Sequence, residues 1–464
     1  MAVQDTDRTA QVRIQLKSQD PELELPESTG PILVSTELRR YQLSTLVNRL
    51  LSTEKPVPFE FVINGIFLRS SLDDFLTEQG ISSETTLQVE YVRAQIPPQH
   101  VTSFQHDDWV SAVDLLSSTT PTGASIDAAS QRILSASYDG LLRTWSASGD
   151  CIATSPAAHA GPIKSAKFLS PDLVVSSSMD RSVRVWQYSE TSPSSGTFTP
   201  TLELLNHSAS VDRLAIHHTS QKILAASSDH TLSIFSSSKS SSPEASPQFI
   251  PSTLSAKRRK LSALSKPTPQ RGALATLKSH SAPVSDVAFA PQDHTVSYST
   301  SWDHSLKTWD LTTARCVDTR MTSHALLSVL PLQDTGLVAA GTSARHVSLV
   351  DPRATASNIV AMTLRGHANA VVAMAQSPAS GSILASASHD GSVRVWDVRM
   401  SGAAVDVLGD GGSVADPLFV LSREGIEKRN PGGEGQKVFS VAWDSTWGIV
   451  SAGEDKRVQV HQQR

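Results

Sequence analysis

The sequence predicts an all-β chain built from seven copies of one repeat, with a small α+β domain in front of it. Three observations carry that reading. A run of small residues, an aspartate and alternating apolar positions ending in an aromatic recurs five times, with the aspartate-to-aromatic offset fixed at six. A histidine stands ahead of a strand-like stretch at the head of each of those copies. Residues 11–93 lack the repeat and carry instead alternating strands around a helical apolar period.

In chain order, residues 1–10 read as a disordered tail. "QVRIQL" alternates like a strand and "PILVS" is a second short one. "YQLSTLVNRLL" sets Leu43, Leu46, Val47, Leu50 and Leu51 at helical spacing, with Leu43 or Ser44 near its start. "VPFEFVING" ends in the turn-favouring pair Asn64 and Gly65, and "IFLRS" is its hairpin partner. A short helix in "SLDDFLTEQ" stops at Gly80, and "TLQVEYV" closes the domain. The order ββαββαβ in about 80 residues is that of a ubiquitin-like fold. "RAQIPPQ" follows as a linker over 94–100, stiffened by Pro97 and Pro98.

The repeats occupy 101–464. "ILSASYDGLLRTW", "VVSSSMDRSVRVW", "ILAASSDHTLSIF", "VSYSTSWDHSLKTW" and "ILASASHDGSVRVW" place Asp139 with Trp145, Asp180 with Trp186, Asp229 with Phe235, Asp303 with Trp309 and Asp390 with Trp396. His106, His159, His207, His280 and His367 head the same five units. Two weaker units complete seven: one keeps His324 but has Ala344 and Val350 at the aspartate and tryptophan places, the other keeps Asp455 and ends at His461. The period-two runs are strands with one face against a neighbouring unit. Each aspartate falls in a tight turn, where its carboxylate can accept from backbone N–H groups and from the unit's histidine, and each tryptophan fills space between units. Residues that recur once per repeat in turn positions form a scaffold network rather than a catalytic or metal site.

Two insertions interrupt the period. Trp145 to Trp186 spans 41 residues, whereas Phe235 to Trp309 spans 74. The excess, 236–272, is rich in Ser and Pro and reads as a mobile loop. Within it Lys257, Arg258, Arg259 and Lys260 gather four cations in an accessible setting, a nuclear import signal or a phosphate contact on one reading and a solvated charge run on the other. A second, Gly-rich mobile insertion covers 400–436, although "PLFVLS" inside it has the pattern of a strand or docking segment.

Composition limits what the chain can do. Apolar residues make up 39% and charged ones 18%, a globular balance, and 464 residues are too many for one ordinary core. A formal charge of −5 argues against binding nucleic acid by phosphate neutralisation along the whole molecule. Cys151 and Cys316 follow a tryptophan by six and seven residues and fall at matching places in different repeats. Two free thiols suit cytosol or nucleus. The reading is of a protein neither secreted by the usual route nor membrane-spanning, because no signal-like start and no run of about 18 apolar residues is found. Gly-rich phosphate loops, HExxH, GxSxG and CxxC are absent too, so an enzyme is not expected.

The repeats resemble the WD-repeat family, whose units are four-stranded blades of a β-propeller, over roughly residues 101–464. The fold class implied is an all-β seven-bladed WD-repeat β-propeller preceded by a small α+β ubiquitin-like domain. Such a ring must close, and "VTSFQ" (101–105), just ahead of the first histidine, can supply the outer strand of the last blade.

The N-terminal residues narrow the resemblance further. "RRYQLSTLVNRLLSTEKPVPFEFVINGIFLRSSLDDFL", "GISSETTLQVEYVRAQIPP" and "FQHDDWVSAV" are similar to the WD-repeat subunit of the complex formed by the Pescadillo and Block-of-proliferation proteins, which acts in rRNA processing and maturation of the large ribosomal subunit. That resemblance implies a nuclear protein of nucleolus and nucleoplasm. Its propeller would bind the Block-of-proliferation partner, with Pescadillo reached through the complex and direct rRNA contact on the pre-60S particle left open. The ubiquitin-like domain would serve as a handle for Midasin, an AAA ATPase. No cofactor of its own is implied. Glu84, in the "SSE" turn, would complete the shell of a Mg²⁺ ion held by Midasin, since Mg²⁺ takes near-octahedral oxygen ligands and an adhesion-type site leaves one position open. Without the resemblance Glu84 is one loop acid among several, Glu78 and Glu90 lying close in sequence. Two alternatives stay open: a Notchless-type factor using the same grip at a later stage, and a propeller substrate receptor of a ubiquitin ligase, which would normally carry an F-box or cullin-adaptor docking helix not found here.

Overall fold

The computed structural model describes residues 10–463 except for 19–22, 27–28, 53–55, 65, 95, 124–126, 128–129, 193, 251–267, 355–359, 400–412 and 426–434. The chain forms two compact units, with the main division between Pro97 and Pro98.

The first unit is a five-stranded mixed sheet, made of β1 (Gln11–Lys17), β2 (Ile32–Ser35), β3 (Phe59–Ile63), β4 (Ile66–Phe67) and β5 (Thr86–Arg93) in the order β2-β1-β5-β3-β4. Only β1 and β5 run parallel, as a ubiquitin-like crossover requires. Alternation in β1 buries Val12 and Ile14 against Leu43 and Val47 of helix α1 (Arg40–Leu51) and Phe75 of helix α2 (Leu72–Gln79). Helix α2 begins on a capping box, Ser71 exchanging hydrogen bonds with Asp74, and ends on Gly80 at φ +63°. Helix α1 starts at Arg40, three or four residues before Leu43 or Ser44. Gln42 reaches back to the Arg39 N–H at 3.0 Å and supplies the start that no Ser or Asp marks. Ser44 braces β3 instead, accepting from the Phe59 N–H at 3.1 Å.

The second unit is a ring of seven antiparallel sheets, each built around four strands. Blade one spans Val110–Leu116 to Cys151–Thr154 and blade two Ile163–Ser170 to Ser195–Leu205. Blade three runs from Val211–His217 to Ala275–Lys278, and blade four from Val284–Phe289 to Arg315–Met321. Blades five, six and seven begin at Leu326–Pro331, Val371–Gln376 and Val438–Asp444. Apolar cores lie between adjacent blades. Leu134 and Leu142 of blade one pack on Phe168, Trp186 and Tyr188 of blade two, and Trp145 packs on Val450, Val458 and Val460 of blade seven.

Ring closure comes from strand β6 (Gln99–Gln105), which pairs antiparallel with Arg457–Gln462 as the outer strand of blade seven. This is the role assigned to "VTSFQ", and the strand begins two residues earlier, shortening the linker predicted over 94–100. Phe104 stacks on Trp145 at 5.3 Å, so the closing strand also packs into blade one.

The insertions differ from the mobile loops expected. Residues 236–250 fold back on themselves through Ser242, whose hydroxyl donates to the Ser238 carbonyl at 2.9 Å. Gln270–Arg271 then add a parallel fifth strand to blade two. In the second insertion Ser413–Ala415 add a parallel fifth strand to blade five, and "PLFVLS" supplies Phe419–Ser422, the outer strand of blade six. Ladder hydrogen bonds on an open edge order even these short pieces. Both Cys residues are free and occupy matching places in outer strands, Cys151 opposite Trp145 and Cys316 opposite Trp309.

Candidate docking sites

Blades two, four and six carry one network. In blade two, Asp180 Oδ2 accepts from His159 Nδ1 at 3.0 Å and from the Ala160 N–H at 2.9 Å, while Oδ1 accepts from the Ser182 N–H. Ser176 then links His159 Nε2, at 2.7 Å, to the indole N–H of Trp186, at 2.8 Å. His280, Asp303, Ser299 and Trp309 repeat this in blade four. His367, Asp390, Ser386 and Trp396 repeat it in blade six. Burial pushes the Asp303 carboxyl up, but hydrogen bonds from Ser305, His280 and the Ser281 N–H outweigh that and hold it at about 2. Asp180 and Asp390 lie lower still by the same balance. The imidazole, indole and carboxylate atoms named in these corners are bonded to one another or to the blade's own backbone and hydroxyls.

The other blades depart from the pattern. Asp139 of blade one does not bond His106. It ion-pairs with Arg143 at 2.7 Å, and His106 turns Nδ1 toward the Phe104 carbonyl while keeping Ser135 on Nε2. Trp145 donates to the same Ser135. In blade three His207 and Asp229 pair at 3.0 Å, but Ala225 stands where the serine belongs and Phe235 has no N–H, so His207 Nε2 is buried without a partner. Blade five has neither acid nor indole, and His346 points Nδ1 at the Ala344 carbonyl. In blade seven Asp455 takes a fork from Arg423, Nε and Nη2 both at 2.8 Å, and Arg423 Nη1 also reaches Ser451 at 3.0 Å. Arg423 thus occupies the histidine's place, a residue the repeat pattern does not reveal.

In the first unit, Glu84 lies at the tip of a turn that is closed by the Thr85 N–H on the Ser82 carbonyl. Its own N–H donates to Ser82 Oγ at 3.3 Å, and the carboxylate is exposed, with no partner among the described residues. Glu90 differs, since it sits on β5 with Oε1 buried, and Glu78 lies near the end of α2. Of the three acids, Glu84 is the one offered at a loop tip between small residues.

The propeller presents a second feature. The residue before the network aspartate donates its N–H to the carbonyl just ahead of the blade's first strand, Tyr138 to Trp109, Met179 to Pro162, Trp302 to Pro283 and His389 to Ala370. One recurring turn therefore places these side chains on one face around the axis. There Trp109, Tyr138, His389 and Phe439 form a cluster. Phe439 lies 6.1 Å from Trp109, 6.3 Å from Tyr138 and 5.8 Å from His389. Lys164 caps Tyr138, 4.9 Å above its ring. Met179 and Trp302, 48% and 57% exposed, extend the apolar surface round the ring. Sequence reasoning missed this cluster. The available signal was a large side chain immediately before the repeat's aspartate.

Lys257, Arg258, Arg259 and Lys260 lie outside the described residues, as do Gly65 and residues 1–9. No helix among the described residues is long and apolar enough to cross a membrane, and no group of three or more His, Cys, Asp or Glu there is placed to hold a metal.

Comparison with known proteins agrees with this architecture. Residues 12–76 match the NLE (NUC135) domain, and residues 149–187, 198–236, 272–310 and 359–397 match the WD domain, G-beta repeat. The chain is 54% identical to "Ribosome biogenesis protein ytm1" of Aspergillus clavatus and 55% identical to that of Aspergillus oryzae, in each case over 97% of this chain and 95% of the relative. The corresponding protein of Emericella nidulans is 52% identical over the same shares.

Proposed function

The chain belongs to the ytm1 family of ribosome biogenesis proteins, and from that premise we propose that it is a non-catalytic assembly factor of the pre-60S particle with one docking surface on each unit. The Block-of-proliferation partner docks on the aromatic face around Trp109 and Phe439, which joins Pescadillo to the same complex and seats the protein on the particle in the nucleus. Aromatic side chains around a desolvating centre supply most of the affinity at such surfaces. The ubiquitin-like unit is the handle through which Midasin, driven by ATP, withdraws the protein once its stage of rRNA processing is complete.

The observation that carries the handle is Glu84, an exposed, unpartnered carboxylate at a turn tip, flanked by Ser82 and Ser83. A group in that setting can enter a recessed site without a clash and gives up only water to do so. The Mg²⁺ belongs to the partner; this chain supplies one oxygen ligand. Full-length protein should bind Midasin in Mg²⁺ and lose roughly a hundredfold in affinity, about 3 kcal/mol, with chelator or with Glu84→Ala. Glu84→Asp should fail comparably, because the missing methylene withdraws the oxygen by about 1.5 Å against a Mg–O distance of about 2.1 Å. Binding indifferent to chelator and to both substitutions would remove Glu84 from the metal.

A further inference from the structure

The first strand of every blade carries the same bulge, a one-residue skip in register after its first paired residue. In six blades the residue after the skip lines the axial cavity. Four of these are small, Ala112, Ser165, Ala373 and Ser440, whereas blade three has Arg213 and blade four Asp286, and in blade five Ser328 is buried with its hydroxyl on the Val371 carbonyl. Seven large side chains could not share that level of the channel. One arginine among alanines and serines has room to cross it.

Arg213 does cross. Its Nη2 donates to the Val372 carbonyl at 3.0 Å and to the Phe439 carbonyl at 3.2 Å, in blades six and seven on the far side of the ring. Val372 and Phe439 are the skipped residues of their strands, so their carbonyls have left the ladder and need another donor. A charged donor to two such carbonyls is stronger than a neutral one. Asp286 in the next blade lines the same axial cavity of about 380 Å³ and feels the Arg213 charge, although burial outweighs it and pushes the carboxyl up. No other described arginine makes such a transaxial contact.

We propose that Arg213 is a positioning residue for the docking face: a tie across the axis that closes the channel beneath the aromatic cluster and holds Phe439 in it. The tie itself rests on the hydrogen bonds above, and its link to docking rests on the reading of the preceding subsection. The consequence is that the partner seats on the face and threads nothing through the ring. A further consequence is that blade seven, whose outer strand is β6, gains an anchor to the opposite side.

Hydrogen exchange on the full-length chain separates these roles. Arg213→Met keeps the length of the side chain and removes both donors. Peptides covering 371–376 and 438–444 should exchange roughly tenfold faster, while blades two to four keep wild-type protection. Arg184→Met, which breaks the ion pair with Glu203 in blade two, should leave both peptides unchanged. Should Arg213→Met not fold, Arg213→Lys, with one donor group in place of the fork, gives the reading at an intermediate rate. Unchanged exchange at 371–376 and 438–444, or acceleration spread evenly over seven blades, overturns the tie. Docking is read separately, with the partner protein and Trp109→Ala. Binding that ignores Trp109→Ala removes the docking face and leaves the tie, whereas unchanged exchange in Arg213→Met removes the tie and leaves the docking face.

Discussion

Blades two and seven hold the same corner of the ring with different chemistry. Blade two joins Asp180, His159, Ser176 and Trp186 in a chain of hydrogen bonds in which the histidine bridges aspartate and serine. Blade seven sets a guanidinium, Arg423, against Asp455 and Ser451, and His461 takes the tryptophan's place. Complete networks occupy blades two, four and six, so every incomplete blade but two lies between complete neighbours. The exceptions are blades seven and one, which adjoin each other at the seam where β6 closes the ring. Where the covalent chain gives least support, a buried ion pair replaces the imidazole bridge.

The largest expected effect tests that substitution of chemistry. Arg423→Leu strands the Asp455 carboxylate, whose side chain is 9% exposed, and should cost about 3–5 kcal/mol in the denaturant transition of the propeller. Pairing Arg423→His with His461→Trp rebuilds the blade-two arrangement and should recover most of the loss. A penalty under about 1 kcal/mol for Arg423→Leu would mean that the seam does not depend on the pair.

Acid should open the same seam. Burial, with Arg143 nearby, lowers His106 to about 4, and burial, with His100 and Arg423, does the same to His461. Each imidazole is neutral in the fold at a pH where the unfolded chain, near 6.5, already takes up a proton. Stability is therefore complete above pH 6.5, falls as the pH drops from 6.5 to 4, and levels off below. The loss is at most about 3 kcal/mol per histidine. His461→Phe removes a ring whose Nδ1 is buried without a partner. Its denaturation midpoint should change less between pH 7 and pH 5 than that of the native chain. The corresponding change at His280 breaks a full network and should lower the midpoint at both pH values.

The smallest effect is a repair. Ala225→Ser in blade three offers His207 Nε2 the partner it lacks and should raise stability by about 1 kcal/mol. A loss instead would show that the serine serves the indole in blades two, four and six, and the histidine only incidentally.

The sequence made the ring legible because His, Asp and Trp recur at fixed offsets, and each offset reflects a contact made inside one blade. Arg423 escaped that reading. Its side chain does the work of a histidine, but the 426–436 segment separates it from the strand it heads, so spacing hides it. The fifth strands at Gln270–Arg271 and Ser413–Ala415 are only two and three residues long, too short to carry a pattern, and an open edge beside them makes them strands. Trp109, Tyr138, His389 and Phe439 come from three blades and meet only once the ring is closed. Arg213 is further from legibility, since its partners are backbone carbonyls more than 150 positions away. Glu84 is visible in the sequence as an acid in a turn, and its exposed place at a loop tip sets it apart from Glu78 on α2 and Glu90 on β5.

Strand β6 continues directly from the linker and is hydrogen-bonded to Arg457–Gln462 with Gln99 opposite Gln462. A load applied to the first unit therefore enters the ring at one end of the ladder that closes it. Drawn along the strand, that load is shared by all the ladder bonds at once and by Phe104 wedged on Trp145. Drawn across it, the load falls on Gln99 first and the bonds part in sequence, as a zip does. The direction of a pull, and not its strength alone, decides whether the propeller stays whole or comes apart at the seam.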